Sequence, residues 1–152
     1  MEEEAGIAAR ESPFLGRTVQ LGYAAGKVLR VSFPTEPDDE ASPDHPLLDR
    51  IFAYLEGETD DFRDVSVALT LPTDQRSVLE AVRQVGYGED VDVAALTRAT
   101  PGMDADDEDQ RLVREALAAN PAPLVIPDHR VRDGPSAAPP EVEQRLRSLE
   151  EL

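Results

Sequence analysis

The segment that most constrains the fold is residues 120–131, which carry three prolines and a run of apolar residues. Each proline fixes its own φ and removes a backbone donor, and the residue before a proline is disfavoured in a helix. A helix that precedes the segment is therefore predicted to end at Asn120. The apolar residues Leu124–Ile126 predict a short buried strand. Asp128, His129 and Arg130 then follow one another, and we expect them at the edge of the apolar region into which that strand packs.

The charge of the chain is strongly negative. A formal net charge of −17 arises from 32 acidic and 15 basic residues. Such chains are often disordered, but here Val, Leu and Ile recur at regular spacings in several segments, which indicates a folded protein with an acidic surface. Repulsion among the carboxylates would destabilise a compact state at low ionic strength, whereas at about 1 M salt the Debye length is only ~3 Å. The composition therefore predicts a halophilic source.

Several classes of site and location are disfavoured. The absence of cysteine excludes disulfides, thiolate metal sites and cysteine nucleophiles. The two histidines, His45 and His129, are far apart in sequence, so no metal site is expected, and nothing in the sequence indicates a cofactor. No apolar run approaches the length of a membrane span, and the acidic start Met1–Glu4 differs from a basic signal peptide. We expect a cytoplasmic protein without a membrane partner.

The first half of the chain predicts a small α/β lobe over residues 17–72, preceded by a flexible acidic arm over residues 1–16. Alternating apolar residues indicate strands at Thr18–Tyr23 and Lys27–Phe33, joined as a hairpin. After a loop, the stripe of Leu47, Leu48, Ile51, Phe52 and Leu55 predicts a helix capped by Ser42 or Asp44 and ended by Gly57. Alternation from Val65 to Leu71 predicts a third strand.

The second half predicts a mainly helical lobe over residues 73–152. Apolar spacing indicates helices from Thr73 or Asp74 to Val85, from Val91 to Arg98, from Asp107 to Ala119, and after Pro139. The Gly-containing turn between the second and third of these helices is typical of a helix-turn-helix.

Four motifs of this lobe carry a family resemblance. They are the turn Val85-Gly86-Tyr87-Gly88-Glu89, the helix with Arg111, Val113 and Ala116, the segment from Asn120-Pro121 to Pro127-Asp128-His129-Arg130-Val131, and the terminal pair Leu146 and Glu150. The pattern resembles the methylated-DNA protein-cysteine methyltransferases, or alkylguanine-DNA alkyltransferases. In that family the corresponding motifs are Ile-Pro-Tyr-Gly-Glu, an Ala-Arg-Ala-Val recognition helix, Asn-Pro followed by Pro-Cys-His-Arg-Val, and Leu-Leu-x-x-Glu.

The resemblance implies a fold and a set of roles. The fold would be a ribonuclease-H-like N-terminal α/β lobe followed by a winged-helix, helix-turn-helix-like C-terminal lobe. In the family a cysteine takes the alkyl group from damaged guanine, so the resemblance implies DNA repair on duplex DNA. His129 would be the base, Glu150 would orient it, and Arg111 would fill the gap left by the flipped nucleotide. Tyr87, Asn120 and Arg130 would contribute to DNA binding.

The departures from the family pattern affect function most. Asp128 stands where the family has its acceptor cysteine, and a carboxylate is a much poorer nucleophile than a thiolate toward an unactivated methyl group. The family's tyrosine after Gly-Glu is Val93 here, and the loop 132–140 lacks the Tyr-x-Gly-Gly motif. The chain is most similar to the alkyltransferase-like proteins, which bind alkylated guanine without transferring the alkyl group. The alternatives are an interaction module without DNA affinity and an alkyltransferase that uses Asp128.

Structural explanations for the same residues also remain open. Asp107 lies four residues before Arg111, where the two side chains would form an ordinary helix ion pair. The acidic residues at the start of that helix would repel phosphates while favouring the helix dipole. His129 would be a structural histidine bonded to the backbone, and Asp128 would be a cap or a partner of Arg130.

Overall fold

A computed structural model describes residues 5–152, which contain three strands and five α-helices. The strands come first along the chain and the helices follow. Their bounds are β1 Gly6–Ser12, β2 Arg17–Ala24, β3 Lys27–Ser32, α1 Pro46–Leu55, α2 Thr73–Val82, α3 Val93–Ala99, α4 Asp107–Ala118 and α5 Pro140–Leu149. A single 3₁₀ turn at Asp128–Arg130 lies between the last two helices. The fold is thus α/β, with the sheet at the N-terminal end.

The three strands form an antiparallel sheet in the order β1-β2-β3. Ala25 and Gly26 connect β2 to β3 with φ angles of 54° and 78°. A two-residue loop with both residues at positive φ matches the right-handed twist of the flanking strands. The hairpin predicted from the alternating pattern is confirmed.

The prediction of a flexible arm over residues 1–16 is wrong for the part that forms β1, while residues 1–4 lie outside the described residues. β1 pairs with β2 from Gly6 opposite Tyr23 to Ser12 opposite Arg17. Its buried positions are Ala8, Ala9 and Ser12, which are too small and mixed to show a clear apolar period. At Gly6 a Cβ atom would lie 2.6 Å from the Tyr23 hydroxyl, so this strand packs closely because its residues are small.

The predicted third strand at Val65–Leu71 is also wrong. The segment touches the sheet at one point only, where Val28 donates to Ser66 O and Ala68 donates to Val28 O, each at 2.9 Å. Farther along the same edge, Val31 N–H donates to Pro121 O at 2.9 Å instead. The edge of β3 is thus divided between two segments, and neither forms a longer ladder. The apolar residues of 65–71 still pack partly buried against the core.

The helices follow their predicted spans to within a few residues. In α1 the side chains of Leu47, Leu48, Ile51, Tyr54 and Leu55 are buried. The predicted cap at Ser42 or Asp44 is wrong, because His45 Nδ1 accepts from Leu47 N–H at 3.1 Å and Pro46 occupies the first helical position. Tyr54 takes the inward place that the sequence pattern assigned to Phe52, which is only half-buried.

In the second half, α2, α3 and α4 pack on one another. Asp92 caps α3 and Asp106 caps α4 through side-chain hydrogen bonds, while α2 begins after Pro72 without the predicted side-chain cap. One apolar cluster runs continuously from Ala8 in β1 to Leu146 in α5. None of the helices in residues 5–152 has the length and apolarity needed to cross a membrane.

Candidate functional site

The site is built on the proline-rich segment, which forms turns rather than the predicted strand. Leu124 adopts a positive φ of 81°, and Ile126 N–H donates back to Ala122 O at 2.8 Å. Arg130 N–H then donates to Pro127 O at 3.0 Å and Val131 N–H donates to Asp128 O at 3.1 Å, which form the 3₁₀ turn. Prolines on both sides disfavour a ladder partner, since they remove backbone donors. The turn brings three consecutive polar side chains into the interior, where each is about 1% exposed.

The Asp128 carboxylate joins three pieces of chain. One oxygen accepts from Ser136 Oγ at 2.6 Å, and the other accepts from Asn120 Nδ2 and Ala137 N–H, both at 2.9 Å. Burial raises the pKa of Asp128, and the hydrogen bonds from Ala137, Ser136 and Asn120 oppose that rise only in part. The side chain therefore ties the end of α4 to the loop before α5. It is neither a helix cap nor a partner of Arg130, as the sequence alone had allowed.

Glu150, which caps the C-terminal end of α5, is the acceptor at the centre of the site. Its Oε2 accepts from His129 Nε2 at 2.8 Å, from Arg130 Nη2 at 3.0 Å and from the Tyr54 hydroxyl. Its Oε1 accepts from Arg130 Nε at 2.8 Å and from Gly88 N–H at 3.0 Å. Burial alone would raise the pKa of Glu150, but the hydrogen bonds from His129, Arg130 and Tyr54 outweigh it and hold the pKa well below its usual range.

His129 is fixed in one orientation by this carboxylate. Because ionised Glu150 can only accept, Nε2 of His129 carries the proton that is donated to it. The Tyr54 hydroxyl lies 3.4 Å from the same ring nitrogen. Nδ1 is buried and has no hydrogen-bond partner within residues 5–152. The bond of the ring is therefore to a side chain rather than to backbone.

Tyr54 stays protonated within the network. Burial raises its pKa, and the charge of Glu150 raises it further. A protonated phenol can only serve here as a donor to the carboxylate. The ring also packs edge-on against Tyr87, with centroids 5.9 Å apart. Tyr54 thus connects α1 to the centre of the site.

Arg130 is almost completely buried, and each of its three side-chain nitrogens donates a hydrogen bond. Besides its two bonds to Glu150, Nη1 donates to Val85 O at 2.8 Å and lies 3.3 Å from Asp61 Oδ1. Its guanidinium also lies 5.8 Å from the centre of the Tyr87 ring. These contacts join the 85–88 turn to the 3₁₀ turn. The DNA contact expected of Arg130 stays a prediction, and in this structure the side chain is buried with its donors turned inward.

Asn120 is likewise turned inward. Its Nδ2 donates to Ile126 O at 3.0 Å as well as to Asp128, and its Oδ1 accepts from Ala122 N–H at 2.9 Å. The side chain shapes the turn that carries the site. Its DNA contact also stays a prediction, and in this structure the amide is buried and its polar atoms are all engaged.

Helix α4 carries two unpaired arginines on its exposed side. Arg111 and Arg114 are exposed and share that face at i, i+3 spacing. Neither forms an ion pair or a side-chain hydrogen bond with any residue in 5–152. The alternative in which Arg111 pairs with Asp107 is thus not what the structure contains. Asp106 instead caps the helix by accepting from Asp109 N–H at 2.8 Å.

Comparison with known proteins decides the family. The chain is 32% identical over 110 residues to the methylated-DNA–protein-cysteine methyltransferase of Methanopyrus kandleri, a match that covers 68% of this chain and 77% of that protein. The chain belongs to the methylated-DNA–protein-cysteine methyltransferase family. No protein-family model matches it. The resemblance identified from the four motifs is confirmed.

Solved structures of this methyltransferase family share the fold. The OGT protein of Mycobacterium tuberculosis, solved in complex with DNA, superposes with a TM-score of 0.72 at 24% identity, covering 97% of this chain and 92% of that one. The O6-methylguanine-DNA methyltransferase of Pyrococcus kodakaraensis KOD1 gives a TM-score of 0.72 at 19% identity, covering 96% and 99%. The likeness extends over nearly the whole chain, including the sheet.

The structure brings together His129, Glu150 and Arg130, and it keeps Asp128 one residue away on a separate set of donors. Arg111 lies apart on the surface of α4, and Tyr87 packs half-buried beside the network. Sequence reasoning missed Tyr54, Ser136 and the backbone amides of Gly88 and Ala137. For Tyr54 a signal existed, because it lies three residues after Ile51 on the helix stripe. Gly88 lies in the 85–89 motif, where the pattern does not indicate the role of its backbone amide, and Ser136 and Ala137 lie in a loop without a local pattern.

Proposed function

We propose that this methyltransferase-family protein binds alkylated guanine in DNA without transferring the alkyl group. The observation that carries the proposal is the state of Asp128. By the Pro-x-His-Arg-Val motif it occupies the position of the acceptor cysteine, and its carboxylate is buried with both oxygens already hydrogen-bonded.

Alkyl transfer is displacement at carbon, which favours a soft and polarizable thiolate. A carboxylate is harder, and three donors withdraw electron density from its lone pairs. Burial also raises the pKa of Asp128 and so disfavours the charged form that would attack. The remaining machinery, in which Glu150 orients His129, then has no thiol to deprotonate. This supports a protein that retains the fold and loses the chemistry.

Binding is supported by the unpaired Arg111 on α4. Arg111 has no internal partner in residues 5–152, and an exposed guanidinium on a helix-turn-helix is suited to enter the space left by an extruded base. The M. tuberculosis relative was solved with DNA, which makes the same partner a reasonable proposal here. We accordingly assign the partner as duplex DNA that contains alkylated guanine and the role as lesion recognition in repair.

The finer architecture and setting belong to the same proposal. We place the boundary between a ribonuclease-H-like lobe and a winged-helix lobe near residue 72, and we propose a cytoplasmic, halophilic setting. At high salt, phosphate contacts contribute less affinity. The logarithm of the binding constant falls with the logarithm of the salt concentration, with a slope of about −0.9 per contact. Stacking against an extruded base would then supply most of the affinity.

A paired experiment tests the proposal. Wild-type protein is incubated with duplex carrying one radiolabelled O6-methylguanine, and protein-bound label is measured beside the Asp128→Cys variant. We expect no stable label on the wild type, and some transfer to the variant, because His129 with Glu150 would then have a thiol to deprotonate. Stable labelling of the wild-type chain would overturn the non-enzymatic function.

Binding is measured separately by fluorescence anisotropy with intact and alkylated duplexes of the same sequence at 2 M KCl. We expect tighter binding of the alkylated duplex. Equal affinities, or no binding of either duplex, would rule out lesion recognition.

A second candidate, an interaction module without DNA affinity, is favoured by one observation. The first turn of α4 carries Asp107, Glu108 and Asp109, directly before Arg111. These carboxylates stabilise the helix N-terminus but repel phosphates. The absence of binding to any duplex at 0.2 M and 2 M KCl would select this candidate.

A further inference from the structure

A groove of about 500 Å³ runs along the edge of β3 that faces away from β2. Residues 29–33 form one wall, and the opposite wall includes the end of α4 with Pro121, Pro123 and Pro139. Proline rings offer apolar surface and no backbone donor. The groove therefore has room for a short piece of another chain, and its far wall does not compete for the backbone groups of β3.

Two backbone groups on this edge have no hydrogen-bond partner. Val31 N–H donates away from β2, to Pro121 O at 2.9 Å. The C=O of a strand residue lies on the same side as its N–H, so Val31 C=O also faces the groove, and no other residue in 5–152 donates to it. Phe33 lies two residues farther and faces the same side. Its C=O accepts from Arg17 Nη1 at 3.0 Å, but its N–H has no acceptor in the described chain.

These unpaired groups flank Ser32 and match the backbone of another strand. Val31 and Phe33 are only 3% and 5% exposed, and backbone groups at such positions are nearly always hydrogen-bonded. A C=O and an N–H on either side of one strand residue are the pair that an added strand engages. The same edge is already used in this way at Val28, which bonds to the segment 66–68. The open pair therefore fits a peptide backbone better than a small molecule.

An irregularity in β3 exposes an apolar side chain beside these groups. Val28 pairs with Tyr23 and Arg30 pairs with Gly22, so Leu29 has no partner in β2. Bulges of this kind re-aim side chains and are common beside functional sites. Leu29 is 45% exposed and is the one exposed large apolar side chain in residues 5–152. Its place in the wall of the groove favours a docked segment that carries an apolar side chain.

The groove also differs in charge from the rest of the molecule. None of its twelve lining residues is acidic, although 32 of the 152 residues of the chain are Asp or Glu. Glu141, two residues beyond Pro139, is paired with Arg17. Arg30 is exposed and has no ion pair or side-chain hydrogen bond with any residue of the described chain. An acidic residue of a docked segment would therefore meet a free guanidinium here.

We propose that this edge of β3 docks an extended segment of a partner protein that carries apolar and acidic residues. The segment adds a short strand beside Ser32, with its backbone bonded to Val31 C=O and Phe33 N–H. An apolar side chain packs between Leu29 and the proline rings, and an acidic side chain pairs with Arg30. The inference goes beyond lesion recognition and does not depend on DNA binding.

The probe is a phage-displayed library of random seven-residue peptides, selected against the full chain at 1 M KCl. Enriched peptides are synthesised with a fluorescent label, and their binding is measured by anisotropy, with circular dichroism as a check on the folding of each variant. We expect the peptides to combine apolar and acidic residues. Arg30→Ala should weaken binding by about 3-fold, as for an exposed ion pair. Lys27→Ala removes the same charge from an exposed residue of the same strand and should leave binding unchanged.

The backbone pairing is tested directly on the same peptides. Binding should slow hydrogen exchange of the Phe33 amide, because that N–H gains an acceptor. Methylation of the one peptide nitrogen that donates to Val31 C=O should weaken binding by about 10-fold. Methylation of the next peptide nitrogen, which faces away from β3, is the matched control and should have a smaller effect.

Two results would overturn the proposal. One is a selection that enriches no peptide, or only peptides that leave exchange at Phe33 unchanged. The other comes from light scattering on the chain alone, where a dimer that itself protects the Phe33 amide would assign the edge to a second copy of this chain. Neither result bears on lesion recognition, which is measured separately with intact and alkylated duplexes.

Discussion

Glu150 is the residue on which the interior polar network depends. A single carboxylate receives donors from α1, the 85–88 turn and the 3₁₀ turn, and its side chain is fully buried. Buried ion pairs contribute little net stability compared with apolar packing. Removing one partner is nevertheless costly, because the other charge then stays buried without a countercharge. The network is therefore expected to be sensitive to any change at Glu150.

We predict that Glu150→Gln destabilises the protein by about 3–5 kcal/mol at pH 7, because Arg130 loses its buried countercharge. The pH dependence should change as well. The pKa of Glu150 is lower in the folded state than in the unfolded chain, so its contribution is present above about pH 4 and is lost as the pH falls toward the folded-state pKa.

The measurement is urea unfolding between pH 7 and pH 3. Wild-type stability should fall with acid more steeply than that of Glu150→Gln. Glu115→Gln, an exposed change on α4, should follow the wild-type curve. If the free energy of unfolding fell in parallel with acid for all three proteins, Glu150 would not be the cause of the loss of stability at low pH.

Asp128 acts on structure through the loop before α5. In Asp128→Asn one acceptor oxygen becomes an amide that can face only the Ser136 hydroxyl, which would have to change from donor to acceptor and give up its present bond. We predict a loss of about 1–3 kcal/mol in the free energy of unfolding, measured by urea denaturation. Asp39→Asn, at an exposed loop position, should change stability by less than about 0.5 kcal/mol. A fully stable Asp128→Asn would mean that the carboxylate does not hold the loop.

The pH dependence at Asp128 has the opposite sign to that at Glu150. Its folded-state pKa is raised, so the neutral form is favoured in the folded state. Its contribution is present below the unfolded pKa of about 4 and is lost as the pH rises through the folded pKa.

At the scale of the elements, α3 and α4 form the surface by which the proposed binding occurs. Gly102 adopts a φ of 81° in the connection between them, which a residue with a Cβ rarely adopts. The buried side of α4 is Val113, Ala116 and Leu117, and the opposite side carries its free arginines. One face of α4 therefore packs in the core, and the opposite face is exposed at the surface.

We predict that Arg111→Ala weakens binding to alkylated duplex more than binding to single-stranded DNA, because only the duplex has a gap to fill. Its stability should change by less than about 0.5 kcal/mol, since the side chain has no partner in residues 5–152. Anisotropy titrations at 2 M KCl measure both affinities, with Arg76→Ala on α2 as a control for charge. If Arg111→Ala lowered the affinities for duplex and single-stranded DNA equally, Arg111 would be a general phosphate contact.

At the scale of the whole molecule, one apolar core joins the sheet to all five helices. The hydrogen-bond network around Glu150 also joins the two halves of the chain, because Tyr54 comes from the first half and the other donors come from the second. Ten ion pairs between arginines and carboxylates join residues 5–152, yet the chain keeps a net charge of −17. Repulsion among the remaining carboxylates is thus a property of the entire surface.

We predict that stability rises with salt. Between 0.1 M and 3 M KCl the Debye length falls from about 10 Å to less than about 3 Å, which screens carboxylate repulsion. Thermal unfolding followed by circular dichroism should show a clear increase in midpoint over this range. Sucrose at matched viscosity provides a control without charge screening. A midpoint that is independent of salt would remove the argument for a halophilic protein.

The amino-acid sequence by itself determined the hairpin, the spans of the helices and the family. Helix stripes and strand alternation are local patterns. Strand β1 was not predicted, because its buried residues are too small to show such a pattern. The family motifs also placed His129 and Glu150 in one site, and the absence of cysteine removed the acceptor thiol.

Only the tertiary structure decided which side chains complete that site. Tyr54 lies 96 residues before Glu150, Gly88 lies 62 residues before it, and Arg130 lies 45 residues after the carbonyl of Val85. No periodic pattern encodes such contacts, because they depend on how turns bring separate elements together. For the same reason Asn120 and Arg130 were assigned to DNA from their motif, although the turn at 124–130 directs both side chains into the interior.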